Sequence, residues 1–156
     1  MNRRIYKRKT PRSKKKGPVQ SKKISYDGIN FASGLEKYMY MCLKNAGIKA
    51  EYEGEKFILF EGFEFTSSVF ERQANGKGEY KERGFKKILP ITYKPDFIGD
   101  GFIIETKGRA NDAFPLRWKM FKSWIEKNRP GTTLYKPQTK AEVDITISLI
   151  LKSKNG

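Results

Sequence analysis

The sequence predicts an α/β domain with a basic N-terminal arm, and three observations support this prediction. Of the 156 residues, 37% are apolar, and 11 Phe, 8 Tyr and 2 Trp are enough to build one core. Segments with helical spacing of apolar residues alternate with short aromatic-rich runs that are typical of strands. The formal net charge of +16, from 33 basic and 17 acidic residues, favours a polyanionic partner, above all nucleic acid.

The composition excludes several chemistries. The chain contains no histidine, so Ser-His-Asp and Cys-His mechanisms are excluded and any metal ion must be held by oxygen ligands. Cys42 is the only cysteine and has no partner for an internal disulfide. No apolar run reaches the roughly 18 residues of a membrane span, and no apolar segment follows the basic N-terminus. We therefore expect no membrane association and a cytoplasmic location.

The basic arm, residues 1–23, carries most of the excess charge. It contains eleven basic residues and no acidic residue, which leaves a net charge of +5 for the rest of the chain. Pro11, Gly17 and Pro18 interrupt regular structure in the arm. It could be a solubilising or nuclear-import tail, but we favour contact with DNA phosphates through counterion release. Its candidate phosphate-binding residues are Arg3, Arg4, Lys7, Arg8, Lys9, Arg12, Lys14, Lys15 and Lys16.

A helix signal opens the body of the chain. Ser33 and Glu36 form a capping box, because their side chains can satisfy the unpaired amides at a helix start. Apolar residues recur at three and four positions over 34–46, and Gly47 supplies the left-handed conformation that ends a helix. The pattern therefore predicts a helix over 34–46.

The remaining elements follow from composition and periodicity. A polar, glycine-rich stretch over 66–87 predicts an insertion in the form of an extended hairpin or a loop. A second helix is predicted over 114–128, with Trp118 and Trp124 in the core rather than stacked on bases. The pattern over 141–152 fits a strand or a helix, and we interpret it as a helix. The predicted strands are 48–52, 56–65, 89–98, 102–107 and 132–135.

The hairpin between the last two long strands brings two acidic residues together. Asp100-Gly101 predicts a two-residue type I′ turn, which places Asp96 directly opposite Glu105 on one face of the sheet. Two opposed carboxylates repel unless the face is solvated, a proton is shared or a divalent cation bridges them. Because apolar residues flank the pair, the pattern favours Mg²⁺ or Mn²⁺.

Lys107 lies on the same predicted face. An ammonium group beside a metal-bound carboxylate pair can orient a water molecule or neutralise the charge that grows during attack on phosphorus. The hairpin therefore predicts hydrolysis of phosphodiester bonds without histidine. Arg109 and Arg117 follow the motif and are further candidates for phosphate binding, although a solvated surface accounts for them equally well.

The motif resembles that of a known nuclease superfamily. Pro95-Asp96, eight intervening residues and then Glu105-Thr106-Lys107 are similar to the PD-(D/E)XK motif. The stretches 31–53 and 93–108 further resemble the phage endonuclease I family of Holliday-junction resolvases. The resemblance implies a restriction-endonuclease-like core in residues 24–156, with a central mixed β-sheet flanked by helices. It also implies a metal-dependent endodeoxyribonuclease that acts on branched DNA, a homodimer, and the host cytoplasm as its location.

The resemblance assigns roles residue by residue. The implied catalytic residues are Glu36, Asp96, Glu105 and Lys107. The implied ligands of Mg²⁺ or Mn²⁺ are Glu36, Asp96, Glu105 and the carbonyl of Thr106. The insertion at 66–87 and the tail after Lys107 have no counterpart in the family.

Several alternatives remain at the level of the sequence. Glu36 could serve only the helix start. The chain could be a transposase-type or other phage nuclease subunit that acts on duplex DNA. It could also be a basic nucleic-acid-binding protein without catalytic activity, in which the hairpin acids are structural.

Overall fold

The computed structural model describes residues 24–108, 111 and 113–154. The basic arm and Arg109 lie outside the described residues, so the phosphate-binding roles predicted there stay predictions. Within the described part, no helix is long and apolar enough to cross a membrane.

The described residues form a mixed α/β fold. The helices are α1 (Gly34–Asn45), α2 (Phe114–Asn128) and α3 (Lys140–Lys154). The first six strands are β1 (Ile24–Tyr26), β2 (Ile29–Phe31), β3 (Ala50–Tyr52), β4 (Phe57–Phe60), β5 (Phe63–Phe65) and β6 (Phe70–Glu71). The next six are β7 (Lys81–Glu82), β8 (Lys86–Ile88), β9 (Ile91–Tyr93), β10 (Phe97–Gly99), β11 (Phe102–Ile104) and β12 (Thr133–Tyr135).

A four-stranded mixed sheet lies at the centre, in the order β12-β11-β10-β3. β10 pairs antiparallel with both β3 and β11, whereas β12 runs parallel to β11. On one face, Phe97 and Ile104 pack in a cluster with residues of α1 and α3. On the other face, Ile103 packs with Phe121 and Ile125 of α2. The prediction of a mixed sheet flanked by helices is therefore confirmed.

The helices agree with their sequence signals. Ser33 is the N-cap of α1 and accepts a hydrogen bond from the Glu36 N–H, and Gly47 adopts a φ of 66° after the helix end. The ambiguous segment near the C-terminus is helical, as interpreted. Trp118 and Trp124 pack against the cluster on the α2 face, which confirms their predicted place in the core.

The strands between α1 and α2 are shorter and more numerous than predicted. The predicted strand 56–65 is divided into β4 and β5 at Glu61-Gly62, and 89–98 is divided by Pro95, which has no N–H for a ladder. The sequence analysis also missed the β1–β2 hairpin. Its turn residues Asp27 and Gly28 have φ values of 55° and 75°, as a type I′ turn requires.

Three successive strand pairs build a long two-stranded ribbon over residues 57–93. β4 pairs with β9, β5 with β8, and β6 with β7, all antiparallel. We call residues 57–65 and 88–93 the stem of the ribbon and residues 66–87 its tip. The stem packs on α2 through β4. The tip corresponds to the predicted insertion, which is an extended hairpin.

Candidate active site

The β10–β11 hairpin has the predicted register. Phe97 pairs with Ile104, Ile98 with Ile103, and Gly99 with Phe102. The turn type, however, was predicted wrongly. Gly101 has a φ of 73°, but Asp100 does not adopt a positive φ, so the turn is not type I′. A left-handed conformation at Gly101 alone is enough to close the two-residue loop in the same register.

The ladder stops where the two acids meet. In the register of the hairpin, Asp96 and Glu105 form the next pair after Phe97 and Ile104. One position further, Pro95 has no N–H to give to its opposite residue, Thr106. Beyond this point the Asp96 side chain, not the backbone of its strand, binds Thr106: Asp96 Oδ2 accepts hydrogen bonds from the Thr106 N–H and hydroxyl, each at 2.6 Å. The Asp96 carboxylate is thereby fixed at the end of the strand pair.

Burial makes the two carboxylates costly to ionise together. Glu105 is 5% exposed and Asp96 is half-buried. Burial, with a smaller contribution from the Glu105 charge, raises the pKa of Asp96 to about 7. Burial also raises the pKa of Glu105, against the opposing effects of Tyr93 and Lys107. A proton shared by the pair or a bound cation relieves this repulsion.

Tyr93 lies against Glu105 and was not predicted as a site residue. Its ring packs on Phe121, with 4.5 Å between centroids. Its hydroxyl and Glu105 Oε2 are both buried, and neither has a hydrogen bond of acceptable geometry within the described residues. Burial and the neighbouring Glu105 charge raise the pKa of Tyr93, so the hydroxyl stays a donor.

The Glu105 and Lys107 backbones are tied to the chain after β12. The Glu105 N–H donates to the Tyr135 carbonyl at 2.9 Å, and the Lys107 N–H donates to the Pro137 carbonyl at 3.0 Å. These bonds continue the parallel pairing of β11 with β12 beyond the regular strands. Successive residues of a strand point to opposite faces, so Glu105 and Lys107 lie on the same face of the sheet as Ile103, the face that packs on α2.

Lys107 stands beside the acidic pair. Its Nζ lies 3.7 Å from Glu105 Oε1 and 4.7 Å from the centroid of the Phe114 ring. Lys107, Glu105 and Arg117 of α2 line the same cavity, which has a volume of about 300 Å³. The full lining is Thr92, Tyr93, Lys94, Glu105, Lys107, Asn111, Phe114 and Arg117. Of the three cationic side chains in this lining, Lys94 is paired with Glu53 at 2.7 Å. Lys107 and Arg117 beside one buried carboxylate suit a phosphate group that approaches a metal site.

Glu36 lies near the pair but is bound by its own neighbours. It is 7% exposed, and Oε2 accepts hydrogen bonds from the Ala32 N–H at 2.9 Å and the Tyr52 hydroxyl at 2.7 Å. The Ser33 hydroxyl donates to Oε1 at 2.8 Å. The Glu36 charge makes a minor contribution to the raised pKa of both Asp96 and Glu105. The hydrogen bonds of the Glu36 side chain within the described residues are those at the start of α1 and to Tyr52.

The donor set fits a hard divalent cation in part. Among the described residues, no three or more His, Cys, Asp and Glu side chains are grouped to hold a metal ion. Asp96 and Glu105 nevertheless offer opposed oxygen ligands, and the buried, unpaired Oε2 of Glu105 is the kind of atom that a cation satisfies. Thr106, whose carbonyl is the further ligand implied by the resemblance, is buried and orients Asp96.

A larger cavity of about 650 Å³ lies elsewhere, lined by residues of α1, β3 and the Asp100 turn. That turn is at the opposite end of β10 from Asp96. None of the predicted catalytic residues lines this cavity, whereas two of the four, Glu105 and Lys107, line the smaller one, so the chemistry is assigned to the smaller cavity. Asp96 and Glu36 line neither cavity.

Three contacts at the site were missed in the sequence, namely those of Tyr52, Tyr93 and Lys94. Tyr93 and Lys94 directly precede the Pro-Asp motif, so their position along the chain was available as a signal. Tyr52 comes from β3, and only the sheet order brings it to Glu36. No protein-family model, curated protein or solved structure matches this chain.

Proposed function

We propose that this chain is a metal-dependent endodeoxyribonuclease that hydrolyses phosphodiester bonds, with a restriction-endonuclease-like core. The observation that carries the proposal is the buried, opposed pair Asp96 and Glu105 with the Lys107 ammonium 3.7 Å from Glu105. A protein that only attracts DNA phosphates gains nothing from two buried acids at this position. A hydrolase needs them to hold a cation.

In this proposal Asp96 and Glu105 would bind the metal ion, and Lys107 would act on the attacking water and on the phosphoryl oxygens. A bound Mg²⁺ or Mn²⁺ would polarise a phosphoryl oxygen and lower the pKa of a water molecule. Asp96 and Glu105 hold that ion, and the two Thr106 bonds keep Asp96 in place. Lys107 orients the attacking water and neutralises charge on the phosphoryl oxygens. The water oxygen would bond to phosphorus as the bond to one ester oxygen breaks. The attacking water would release its proton to solvent and the departing oxygen would take one from solvent, so that no proton is gained or lost overall.

The substrate part of the proposal is branched DNA. It rests on the resemblance of residues 31–53 and 93–108 to the endonuclease I family. Symmetric cutting of a junction needs two active sites, so we propose a homodimer as the acting form. Arg117 and Lys94 at the cavity would contact the phosphates next to the cleaved bond.

The test is cleavage of an end-labelled four-way junction and of a matched linear duplex, in Mg²⁺ and in EDTA. Wild type should cut the junction in Mg²⁺ only, and Lys107→Ala should lose cutting while DNA binding persists. Lys136→Ala is the matched control, because Lys136 Nζ also lies over the Phe114 ring, at 5.8 Å. Equal cutting of both substrates would remove the junction proposal and keep the nuclease. Full activity of Lys107→Ala would refute the catalytic assignment.

One observation favours a second candidate, a nucleic-acid-binding protein without catalytic activity. The Glu36 carboxylate already accepts hydrogen bonds from Ala32, Ser33 and Tyr52, so the described site has two acids, Asp96 and Glu105, that are not engaged at a helix start. Tight DNA binding with no cleavage in Mg²⁺ or Mn²⁺ would favour this candidate, or a nuclease subunit that needs a partner.

A further inference from the structure

The tip of the ribbon exposes three aromatic side chains that no other part of the described chain covers. Phe70, Tyr80 and Phe85 are 58%, 67% and 74% exposed. Phe70 is paired with Glu82, and the Tyr80 ring lies diagonally across the strand pair from Phe70, with 6.3 Å between ring centroids. Phe85 has a φ of 49°, a conformation that is unfavourable for a bulky residue. The ribbon therefore holds apolar rings in water at a cost in free energy.

The charge of the ribbon is concentrated where these rings are. The tip contains six basic and three acidic residues, a net charge of +3, whereas the stem contains two acidic and no basic residues. The tip is thus complementary to a polyanion and the stem is not. The basic residues of the tip are Arg72, Lys77, Lys81, Arg83, Lys86 and Lys87.

The acids of the tip are largely used by the ribbon itself. Glu82 accepts hydrogen bonds from the Val69 and Gly84 N–H groups, and these bonds lower the pKa of Glu82. Glu71 pairs with Lys86 at 2.7 Å. The outward-facing charge of the tip is therefore positive.

This composition matches a protein-docking surface only in part. Aromatic and arginine side chains are enriched in the cores of protein interfaces, but lysine is depleted there, and the exposed rings of the tip are interspersed with four lysines. Aromatic rings next to cations are instead the pattern of surfaces that stack on nucleobases and hold the adjoining phosphates. Bases within a duplex already stack on each other, so the rings require unpaired bases.

The ribbon also begins at the candidate active site. Tyr93 ends β9 and lines the cavity that contains Glu105 and Lys107. Tyr80 and Tyr93 are thirteen positions apart, so at about 3.3 Å per residue the tip lies at most about 43 Å along the ribbon from the site. One nucleic-acid molecule bound at the site could therefore also reach the tip, since one turn of duplex DNA is roughly 35 Å.

We infer that the ribbon tip binds unpaired bases of nucleic acid, by stacking Phe70, Tyr80 and Phe85 on them while the neighbouring lysines and arginines contact phosphates. The inference rests on the proposed function for its substrate, because it specifies unpaired bases, such as those of a bulge or a flap, as the feature of branched DNA that is recognised. The binding itself requires no catalysis.

The test measures binding in EDTA to a duplex that carries 2-aminopurine in an unpaired bulge, and to the same duplex fully paired. Stacking should quench the 2-aminopurine fluorescence when wild type binds. Replacing Phe70, Tyr80 and Phe85 together by Ser should weaken binding to the bulged DNA by at least about 5-fold and remove the quenching. Binding to the paired duplex should change by less than about 2-fold, because the cations remain.

Two further variants make the result specific. Leu89→Ser removes an exposed apolar side chain of the stem, 72% exposed, and should bind the bulge as wild type does. Tyr80→Leu keeps the apolar area but removes the aromatic face, and should reduce the quenching. Circular dichroism melting confirms that each variant is folded.

Other outcomes overturn the inference. Unchanged quenching in the triple variant, an equal loss on both DNAs, or the same loss in Leu89→Ser would each do so. A further contrary result is that the triple variant is monomeric where wild type is dimeric, while the quenching is retained. The rings would then contact a second copy of the chain rather than bases. The binding measurement contains no divalent metal and does not depend on cleavage. A failure of the nuclease proposal therefore does not refute base stacking by the tip, and a failure of base stacking does not refute the nuclease proposal.

Discussion

Replacing Asp96 by Asn should stabilise the metal-free protein above neutral pH while it abolishes cleavage. Burial and the Glu105 charge raise the pKa of Asp96 from 3.8 to about 7. Between these two pH values the folded protein keeps a proton on Asp96 that the unfolded chain has released. The contribution of Asp96 to the free energy of unfolding is therefore fully present below pH 3.8, and it is lost as the pH rises toward 7.

The magnitude follows from the shift. About three pKa units at about 1.36 kcal/mol each correspond to an ionisation cost of about 4 kcal/mol above neutral pH. Asn removes the charge but keeps an oxygen that can accept the Thr106 hydrogen bonds. Because Glu105 shares the repulsion, we expect Asp96→Asn to gain about 2–4 kcal/mol at about pH 8. In a domain of this size that is a rise in Tm of roughly 4–16 °C.

The assay is thermal and urea unfolding in EDTA, at about pH 8 and about pH 4. The increase in the free energy of unfolding caused by Asp96→Asn should be large at the higher pH. It should be nearly absent at the lower pH, because Asp96 of the folded wild type is neutral there. Asp27→Asn is a matched control with the opposite sign, because Lys44 lowers the pKa of Asp27. Adding Mg²⁺ should stabilise wild type and not Asp96→Asn. A variant that is less stable than wild type at about pH 8, or equally stabilised at both pH values, would refute the reasoning.

Three other predictions concern the site and the arm. Lys107→Ala should lower the rate of cleavage by about 100- to 1,000-fold with DNA affinity retained, measured in single-turnover assays. Tyr93→Phe should leave Tm within about 3 °C, since its hydroxyl has no hydrogen bond among the described residues, yet weaken Mn²⁺ binding roughly 10-fold by electron paramagnetic resonance. The loss is expected because Tyr93 lowers the pKa of Glu105, so that removing the hydroxyl favours the protonated acid, which cannot bind a cation. Unchanged Mn²⁺ affinity would exclude this effect. Deleting residues 1–23 should flatten the salt dependence of DNA binding by removing up to about ten phosphate contacts, and an unchanged slope would show that the arm does not touch phosphate.

The register of the central hairpin was predictable because it depends on local chemistry. A two-residue loop with Gly at its second position fixes which residues pair, and the period of two then puts Asp96 and Glu105 on one face. The turn type was not fixed by the same residues, because Asp100 tolerates both negative and positive φ. At Asp27-Gly28 the identical dipeptide does form a type I′ turn. Strand twist and neighbouring packing decide between the two.

The partners of the acidic residues were less predictable than the acids themselves. Tyr52 reaches Glu36 because β3 lies beside β10, a pairing between residues more than forty positions apart in sequence. No local pattern encodes that order of strands. The predicted capping box differs in one bond, since Glu36 accepts from the Ala32 N–H and the Ser33 hydroxyl rather than from the Ser33 N–H.

The ribbon has a consequence for how the molecule opens. Its stem is covered by α2, whereas the described part of the tip packs chiefly on itself, and an isolated two-stranded hairpin is marginally stable in water. Amide protons of β6 and β7 should therefore exchange through local opening, on a much shorter timescale than those of β10 and β11 in the core. Two parts of the molecule then differ in local stability: the β10–β11 hairpin, which carries the acids, is rigid, whereas the ribbon tip can open and close again without unfolding the rest.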